Sequence, residues 1–186
     1  MVHLQTSRLV IRDHILEDLD VYFTLFSDKK SMYYLPKSYL KTIDEAKKQL
    51  DMTISEIERE DRQRYFFCIK DRENDSYIGE IGYSVIENTP LGKSVGIGYF
   101  LLPEYWSKGY ATEALHEVIR FAFKEDNVFR IEAGCMKENR GSEKVMIKCG
   151  MIKEADFKNC TWHDGQMKDR ISYRLLKSEW NNDIHK

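Results

Sequence analysis

The residues best suited to chemistry lie in a short loop between a predicted strand and a predicted helix. The apolar run Gly96–Leu102 is typical of a strand. Pro103 ends it, because proline lacks the N–H group that a sheet ladder needs. After the loop Tyr105–Gly109, apolar residues recur at the spacing of one helical face, at Ala111, Leu115, Val118, Ile119 and Ala122. The loop therefore precedes the first turn of a helix.

This loop has the properties of an anion-binding site. The first N–H groups of a helix have no partner within it, and the helix dipole favours negative charge at that end. Gly109 and Ala111 have small side chains, which let a phosphate approach the backbone. Lys108 adds a positive charge and Thr112 adds a hydroxyl. The loop is therefore predicted to bind a phosphate-containing ligand.

Two common phosphate-binding patterns do not fit this chain. The P-loop pattern requires a glycine where Glu87 stands, ahead of Gly92-Lys93-Ser94. The dinucleotide-binding pattern requires a glycine at the position of Leu101. Gly96 and Gly98, which would be its first two glycines, also precede the apolar run instead of following it. Neither type of nucleotide site is predicted.

Composition restricts the class of protein. The 186 residues carry a net charge of -2 and are 42% hydrophobic, which predicts one globular domain over residues 1–186 and disfavours nucleic acid as a partner. The chain has no apolar run of about 18 residues and no apolar signal-peptide core, so we expect no membrane partner and a cytoplasmic location. The four cysteines form no C-x-x-C pair, and Arg120 replaces the second histidine of a zinc-protease helix after His116. No metal site is predicted.

Strand-like segments separated by turns predict a mostly antiparallel sheet. They are Arg8–Asp13, Tyr65–Lys70, Tyr77–Glu87, Gly96–Leu102, Phe129–Cys135, Met151–Phe157 and Arg170–Leu176. Helices are predicted for Leu16–Phe26, from a capping box at Thr42 to about Arg59, after Gly109 and after Asn139. The helix after Gly109 connects two strands, which allows them to lie parallel. A polar connection containing residues 162–165 is expected between the last two strands.

The segment Trp106-Ser107-Lys108-Gly109-Tyr110-Ala111 resembles the acyl-CoA pyrophosphate loop of the GNAT N-acetyltransferase superfamily, [QR]-x-x-G-x-[GA]. The chain is most similar to the RimJ/RimL-like branch, which contains ribosomal-protein N-terminal acetyltransferases. Trp106 stands where the superfamily has Gln or Arg, a replacement that is common in this branch. The resemblance extends over nearly the whole chain, through LQTSRLVIRD, EIGYSV and ENRGSEKVMIKCGM.

The resemblance implies an α/β (α+β) GNAT fold, with a mixed, mostly antiparallel central sheet of about six to seven strands and about four helices. In this fold two central parallel strands splay apart, and the pantetheine arm of acetyl-CoA, the implied cosubstrate, enters between them. The residues expected to bind acetyl-CoA are Phe100, Leu101, Leu102, Trp106, Ser107, Lys108, Gly109, Tyr110, Ala111, Thr112, Asn139 and Ser142.

Three of these residues carry further expected roles. A backbone N–H near Leu101 would polarise the thioester carbonyl as an oxyanion donor. Asn139 suits an N-cap, and by resemblance its side chain would also bond the pantetheine arm or hold the loop that faces it. Ser142 is either an ordinary first-turn serine or, by resemblance, a candidate acid for the departing thiolate.

An acceptor amine must lose a proton before it attacks, so a base would assist the reaction. Glu80, on the strand Tyr77–Glu87, is the first candidate and is equally well explained as a structural carboxylate. The related branch often has an acidic residue where this chain has Gly96, which leaves the base and the acceptor class open. His163 and Asp164 either border the acceptor site or belong to a solvated turn.

The segment Met32–Leu35 is either a hydrophobic plug over the core or an aromatic wall of the acceptor pocket. We expect an acetyl-CoA-dependent N-acetyltransferase, acting on a primary amine of a protein N-terminus or of a small molecule. Direct attack in a ternary complex is expected, because no cysteine lies in the loop to form a covalent intermediate. A homodimer is expected. The alternative is a non-catalytic acyl-CoA-binding module of the same fold.

Overall fold

The apolar strands pair into one sheet that carries helices on both faces. The computed structural model describes residues 1–180. The strands are β1 (His3–Gln5), β2 (Leu9–Asp13), β3 (Arg64–Asp71), β4 (Tyr77–Thr89), β5 (Gly92–Leu101), β6 (Val128–Met136), β7 (Ile152–His163) and β8 (Gln166–Leu176). The α-helices are α1 (Leu19–Phe26), α2 (Ile43–Ser55), α3 (Tyr110–Lys124) and α4 (Arg140–Lys148). The strand that sequence inspection missed is β1, because its three residues are too few to show a periodic pattern.

The order of the strands across the sheet is β1-β2-β3-β4-β5-β6-β8-β7. All neighbouring strands run antiparallel except β5 and β6, which are parallel. Helix α3 connects these two strands, and a crossover of that length allows them to share a direction. The predicted fold class is therefore confirmed.

The parallel strands β5 and β6 pair over only part of their length. Their pairing ends at Gly96 opposite Glu132, although β5 continues to Leu101 and β6 to Met136. On its other side, β5 stays paired with β4 up to its last residue. The C-terminal halves of β5 and β6 therefore border an opening in the sheet, called the gap below.

Two apolar clusters cover the two faces of the sheet. The larger one includes Leu115 and Ile119 of α3 together with Met146 of α4. The smaller one is formed by α1 and α2 and includes Phe26 and Leu50. The apolar face predicted for α3 is buried at helical spacing, because the helix lies against the sheet along its length. No helix within residues 1–180 is both long and apolar enough to cross a membrane.

Two helix boundaries differ from the predictions. Helix α2 begins at the predicted capping box, where the Glu45 N–H donates to the Thr42 hydroxyl at 3.2 Å. It ends at Ser55 instead of near Arg59, because the charged residues that follow offer no apolar face to bury. The predicted first helix begins as a 3-10 turn, Leu16–Asp18, before α1.

The hairpin of β7 and β8 is longer than predicted. Trp162 and His163 belong to β7 and were wrongly placed in a polar connection. Asp164 and Gly165 alone form the turn, with φ values of +49° and +76°. A two-residue hairpin turn needs such left-handed conformations, and the Asp-Gly pair is a frequent solution. That pair was the sequence signal for the longer strands.

Candidate active site

Gly109 precedes the first turn of α3 with a φ of +83°, and because it has no side chain it accepts no hydrogen bond from the first N–H groups of the helix. The Gly109 carbonyl accepts the first hydrogen bond of the helix, from the Glu113 N–H, at 3.0 Å. The N–H groups of Tyr110, Ala111 and Thr112 therefore have no partner within the helix. Together with the helix dipole, these groups form a suitable site for an anion.

Arg8, which sequence inspection did not single out, holds this loop in place. Its guanidinium donates to the Lys108 carbonyl at 3.1 Å and lies 4.5 Å from the ring centre of Tyr110. It also pairs with the Glu113 carboxylate at 2.6 Å. A Cβ added at Gly109 would lie 3.4 Å from Arg8 Nη2. No local pattern could reveal these contacts, because Arg8 and Lys108 are 100 residues apart in the chain.

The other loop residues are exposed or connect the loop to its surroundings. Residues 106–109 are exposed to solvent. The indole N–H of Trp106 donates to the Leu101 carbonyl at 2.8 Å, which ties the loop back to the end of β5. The Thr112 carbonyl accepts a hydrogen bond from the Cys149 thiol at 3.6 Å, which joins α3 to the end of α4.

Only alternate peptide groups of β5 face the gap. The Leu102 N–H donates to the Ile78 carbonyl at 3.0 Å, and Phe100 is paired with β4. Phe100 and Leu102, both expected to bind acetyl-CoA, therefore turn their peptide groups away from the gap, because successive peptide groups of a strand point to opposite sides. By the same alternation, the N–H groups of Tyr99 and Leu101 face the gap.

A tyrosine that was not predicted joins β5 to the helix after β6. The Tyr99 hydroxyl donates to the Ser142 carbonyl at 2.9 Å and lies 3.1 Å from the Ser142 hydroxyl. Burial raises the pKa of Tyr99, so its phenol stays protonated. The Asn139 side chain accepts a hydrogen bond from the Ser142 N–H at 3.1 Å, as expected of an N-cap. Tyr99 was missed because an aromatic residue in an apolar strand is ordinarily explained by burial.

Glu80 lies inside a hydrogen-bonded network and is only 4% exposed. One carboxylate oxygen lies 2.8 Å from His14 Nε2, and the other accepts the Tyr77 hydroxyl. Burial raises the pKa of Glu80. Burial by itself would lower the pKa of His14, but the carboxylates of Glu80 and Asp18 outweigh it and raise that pKa to about 9. Both oxygens of Glu80 therefore have protein partners, and neither is free to meet an acceptor amine.

The same network brings three potential metal ligands together, His14, Asp18 and Cys68. Asp18 already accepts two hydrogen bonds from the Arg12 guanidinium, at 2.7 and 2.8 Å. Burial raises the pKa of the Cys68 thiol, so it is not the thiolate that metals bind. The guanidinium and the protonated thiol make this cluster a poor metal site, and we assign it to ion pairing.

The loop after α1 spans the open end of the gap. The Ser31 hydroxyl donates to the Leu101 carbonyl at 3.2 Å, at the end of β5. Two residues later, the Tyr33 ring lies 4.8 Å from the His163 ring, and its hydroxyl lies 3.2 Å from the Asp164 carboxylate. The turn of the β7–β8 hairpin projects past the end of β6, because β8 begins before its first residue paired with β6. The two segments considered for the acceptor site therefore meet at the mouth of the gap.

The face of β5 that looks toward α1 and α2 is open beside this mouth. Gly98 is exposed although β5 is a central strand, and a Cβ there would meet no atom of residues 1–180 within 4 Å. Phe100 lies on the same face and packs against Phe26, with ring centres 5.1 Å apart. The uncovered strand at Gly98 leaves room for a second ligand next to the gap.

A gap between parallel strands, followed by an uncapped helix N-terminus, is the arrangement implied for an acyl-CoA site. The family model described as an Acetyltransferase (GNAT) domain matches residues 8–152. The chain belongs to the GNAT acetyltransferase family. This membership confirms the prediction of an acetyltransferase enzyme with acetyl-CoA as its cosubstrate.

Individual GNAT relatives cover almost the whole chain. The uncharacterized N-acetyltransferase YnaD of Bacillus subtilis (strain 168) is 32% identical over 182 residues, which are 97% of this chain and 100% of YnaD. The [Ribosomal protein uS5]-alanine N-acetyltransferase of Escherichia coli (strain K12) is 25% identical over 186 residues, covering 96% of this chain and 93% of that enzyme. The crystal structure of a GNAT-family acetyltransferase from Bacillus anthracis has a TM-score of 0.80 and 26% identity, covering 95% of this chain and 99% of that one. The predicted similarity to the RimJ/RimL-like branch is confirmed.

Proposed function

We propose that this GNAT protein acetylates the α-amino group of a protein N-terminus in the cytoplasm, by direct attack on acetyl-CoA in a ternary complex. The observation that carries the proposal is that the gap and the uncapped N-terminus of α3 lie at the same end of β5. A pantetheine arm in the gap would pair with the peptide groups of Tyr99 as an added strand does, which leaves the N–H of Leu101 for the thioester. The pyrophosphate would then meet the N–H groups of residues 110–112.

The groups around the gap suit the chemistry of thioester aminolysis. The N–H of Leu101 would donate to the carbonyl oxygen as negative charge develops on it. The hydroxyl of Ser142, held by Tyr99, would stabilise the departing thiolate or return a proton to it. Asn139 fixes Ser142 by capping the helix and leaves its amide group for the pantetheine arm.

The environments of the buried cysteines favour direct transfer over a covalent intermediate. Cys135 lies near the end of β6, and its thiol donates to the Asn139 carbonyl at 3.7 Å. Burial raises the pKa of Cys135, and it raises the pKa of Cys149 to about 12. A thiol that stays protonated is a poor nucleophile. We therefore expect intersecting lines in double-reciprocal plots, and parallel lines would contradict the direct route.

The acceptor would enter at the mouth of the gap, between Ser31, Tyr33 and Asp164. The exposed ring of Tyr33 and the carboxylate of Asp164 would both attract an ammonium group. An α-amino group has a pKa of roughly 7.7–8.0, so a useful fraction is neutral near pH 7, whereas a lysine amine at about 10.4 needs more assistance. The Escherichia coli relative is a ribosomal-protein alanine N-acetyltransferase, which supports a protein N-terminus as the first acceptor to test.

Calorimetric titration tests the cosubstrate site. Acetyl-CoA, CoA and ATP are titrated into the wild type, Gly109→Ala and Gly150→Ala. Both glycines have a left-handed φ, +83° and +75°, so the two variants carry a similar backbone strain. We expect the wild type to bind acetyl-CoA more tightly than ATP. Gly109→Ala should bind acetyl-CoA at least about tenfold more weakly than the wild type, and Gly150→Ala should bind it as the wild type does. Absence of acetyl-CoA binding to the wild type would overturn the proposed function.

Thiol release then identifies the acceptor. The probes are a hexapeptide with an N-terminal alanine, the same peptide N-acetylated and carrying one lysine, and spermidine. We expect the first peptide to react fastest, and faster release with the lysine peptide or spermidine would replace the proposed acceptor class. Binding of acetyl-CoA without thiol release from any amine would instead identify a non-catalytic binding module.

A further inference from the structure

His163 is a buried histidine with a ring nitrogen that the fold does not use. It is 6% exposed, and its Nε2 has no hydrogen-bond partner within residues 1–180. A buried polar atom without a partner costs free energy comparable to a lost hydrogen bond, so most such atoms in folded proteins are satisfied. The unsatisfied Nε2 therefore indicates a partner that arrives with a ligand.

The surroundings of His163 place that partner at the mouth of the gap. The Tyr33 ring meets the imidazole edge to face at 4.8 Å, and the Tyr34 ring stacks on it at 6.1 Å. Among the described residues, Asp164 follows His163 in the chain, and Lys168 lies two residues beyond its strand partner Gln166, with its ammonium paired to Glu138 at 2.8 Å. Both tyrosines pack on the imidazole. Ser31, two residues before Tyr33, donates to the Leu101 carbonyl at the end of β5, so the loop that covers His163 also reaches the mouth of the gap.

The acceptor ammonium needs a proton acceptor at this mouth. Both oxygens of Glu80 have hydrogen-bond partners, and Gly96 has no side chain at the position where the related branch often has an acidic residue. Among protein side chains, imidazole has the ordinary pKa nearest to neutrality, about 6.5. A neutral imidazole can thus accept a proton from an ammonium and release it to solvent afterwards.

We propose that Nε2 of His163 accepts the proton that the acceptor ammonium loses before attack. The neutral nitrogen then forms a bond to the thioester carbonyl carbon, the C–S bond breaks, and the sulfur leaves with the bonding pair. After the attack the same nitrogen loses one more proton, which goes to the thiolate and leaves a neutral amide. His163 then returns the proton that it accepted to solvent. This assignment rests on the proposed acetyl transfer.

The pH dependence of the reaction tests this role. kcat/KM is measured from pH 6 to 9.5 for the wild type, His163→Gln and the control His3→Gln, which changes an exposed histidine of β1. The acceptor is whichever of the three probe amines the wild type turns over fastest. We expect kcat/KM of His163→Gln to be about 100-fold lower than that of the wild type near pH 7. The difference should become much smaller as the pH approaches the acceptor's own pKa. His3→Gln should match the wild type, and the Kd for acetyl-CoA should stay within twofold.

Several outcomes would overturn the assignment while leaving the proposed function intact. A loss by the same factor at every pH would indicate a structural role, and activity within twofold of the wild type would indicate none. If His163→Gln does not fold, the wild type is labelled with ¹⁵N and its imidazole resonances are followed while the acceptor is added to the CoA complex. The Nε2 resonance of His163 should move and that of His14 should not, and an unmoved His163 resonance would overturn the proposal. A wild type that binds no acetyl-CoA or releases no thiol would instead remove the proposed function itself.

Discussion

The Tyr99 hydroxyl donates to the carbonyl of Ser142 at 2.9 Å and lies 3.1 Å from the Ser142 hydroxyl. The first contact fixes α4 against β5, and the second places two hydroxyl groups beside the gap. A second tyrosine, Tyr173 of β8, contacts the same helix through the Glu143 carboxylate at 3.0 Å. The two tyrosines therefore anchor α4 at different places, and only Tyr99 belongs to β5 beside the gap.

We expect Tyr99→Phe to lower kcat about tenfold or more with little change in the Kd for acetyl-CoA. Each of Tyr99→Phe and Tyr173→Phe removes a hydroxyl bond to α4 and should lower the free energy of unfolding by about 1 kcal/mol. Steady-state kinetics and urea unfolding of both variants check this. Equal kinetic losses in the two variants would show that Tyr99 acts only through the stability of α4.

Replacement of Arg8 should weaken the binding of acetyl-CoA, because Arg8 holds the loop before α3 and not the site proposed for the acceptor. In Arg8→Gln the Lys108 carbonyl and the Glu113 carboxylate lose their guanidinium partner, so the loop before α3 becomes less ordered. We expect the Kd for acetyl-CoA to rise about tenfold. Arg120→Gln is the control, because Arg120 pairs with Glu117 toward the other end of α3. Calorimetric titration of both variants with acetyl-CoA checks this expectation. An equal rise of the Kd in the two variants would contradict a role of Arg8 that is specific to the loop.

A side chain at Gly98 should obstruct the acceptor and preserve the fold. A Cβ at this position meets no atom within 4 Å in residues 1–180, and valine favours the strand conformation over glycine. We expect Gly98→Val to unfold at the same or a higher urea concentration than the wild type, while kcat/KM for the acceptor falls about tenfold or more. Unchanged acceptor kinetics would place the acceptor elsewhere.

The buried pair of His14 and Glu80 should make stability fall in mildly alkaline solution. The pKa of His14 is about 9 in the folded protein, against its ordinary value of 6.5. Its contribution is therefore fully present below pH 6.5 and is lost as the pH rises through 9. This difference between the two pKa values corresponds to about 3 kcal/mol in the free energy of unfolding. Urea unfolding measured between pH 6 and 9.5 checks the fall.

Glu80→Gln supplies the contrast for that measurement. Removal of the carboxylate leaves the His14 cation without its nearest partner, so stability at pH 6 should drop by about 3–5 kcal/mol, as for a broken buried ion pair. The dependence of stability on pH should also become flatter, because less of the pKa elevation of His14 remains. Parallel stability curves for the variant and the wild type would contradict the assigned ion pair.

Much of the fold was predictable because its signals are local. The apolar spacing of α3 and the proline after β5 determine where a helix forms and where a strand ends. The Thr42 capping box and the Asn139 N-cap appear where the sequence placed them. The loop at Gly109 was recognisable for the same reason, since a left-handed residue before a helix is encoded within a few positions.

The partners of the functional side chains were not predictable from those signals. Arg8 reaches the loop from 100 residues away, and Tyr33 meets Asp164 across 131 residues. Glu80 was interpreted as a candidate base or a structural carboxylate on the strand Tyr77–Glu87, and the contact with His14, 66 residues earlier, could not be foreseen. Hydrophobic periodicity gives no account of such contacts, because they depend on which strands become neighbours.

The sequence by itself determined the order of the α-helices and of the strands after β1, the anion-binding loop and the resemblance to the GNAT superfamily. The tertiary structure decided which peptide groups face the gap, that Ser142 is held by Tyr99, and that His163 is buried at its mouth. The physical reason is the range of the forces involved. Backbone conformation follows from residues a few positions apart, whereas hydrogen bonds and ring contacts between distant segments exist only after the sheet has assembled.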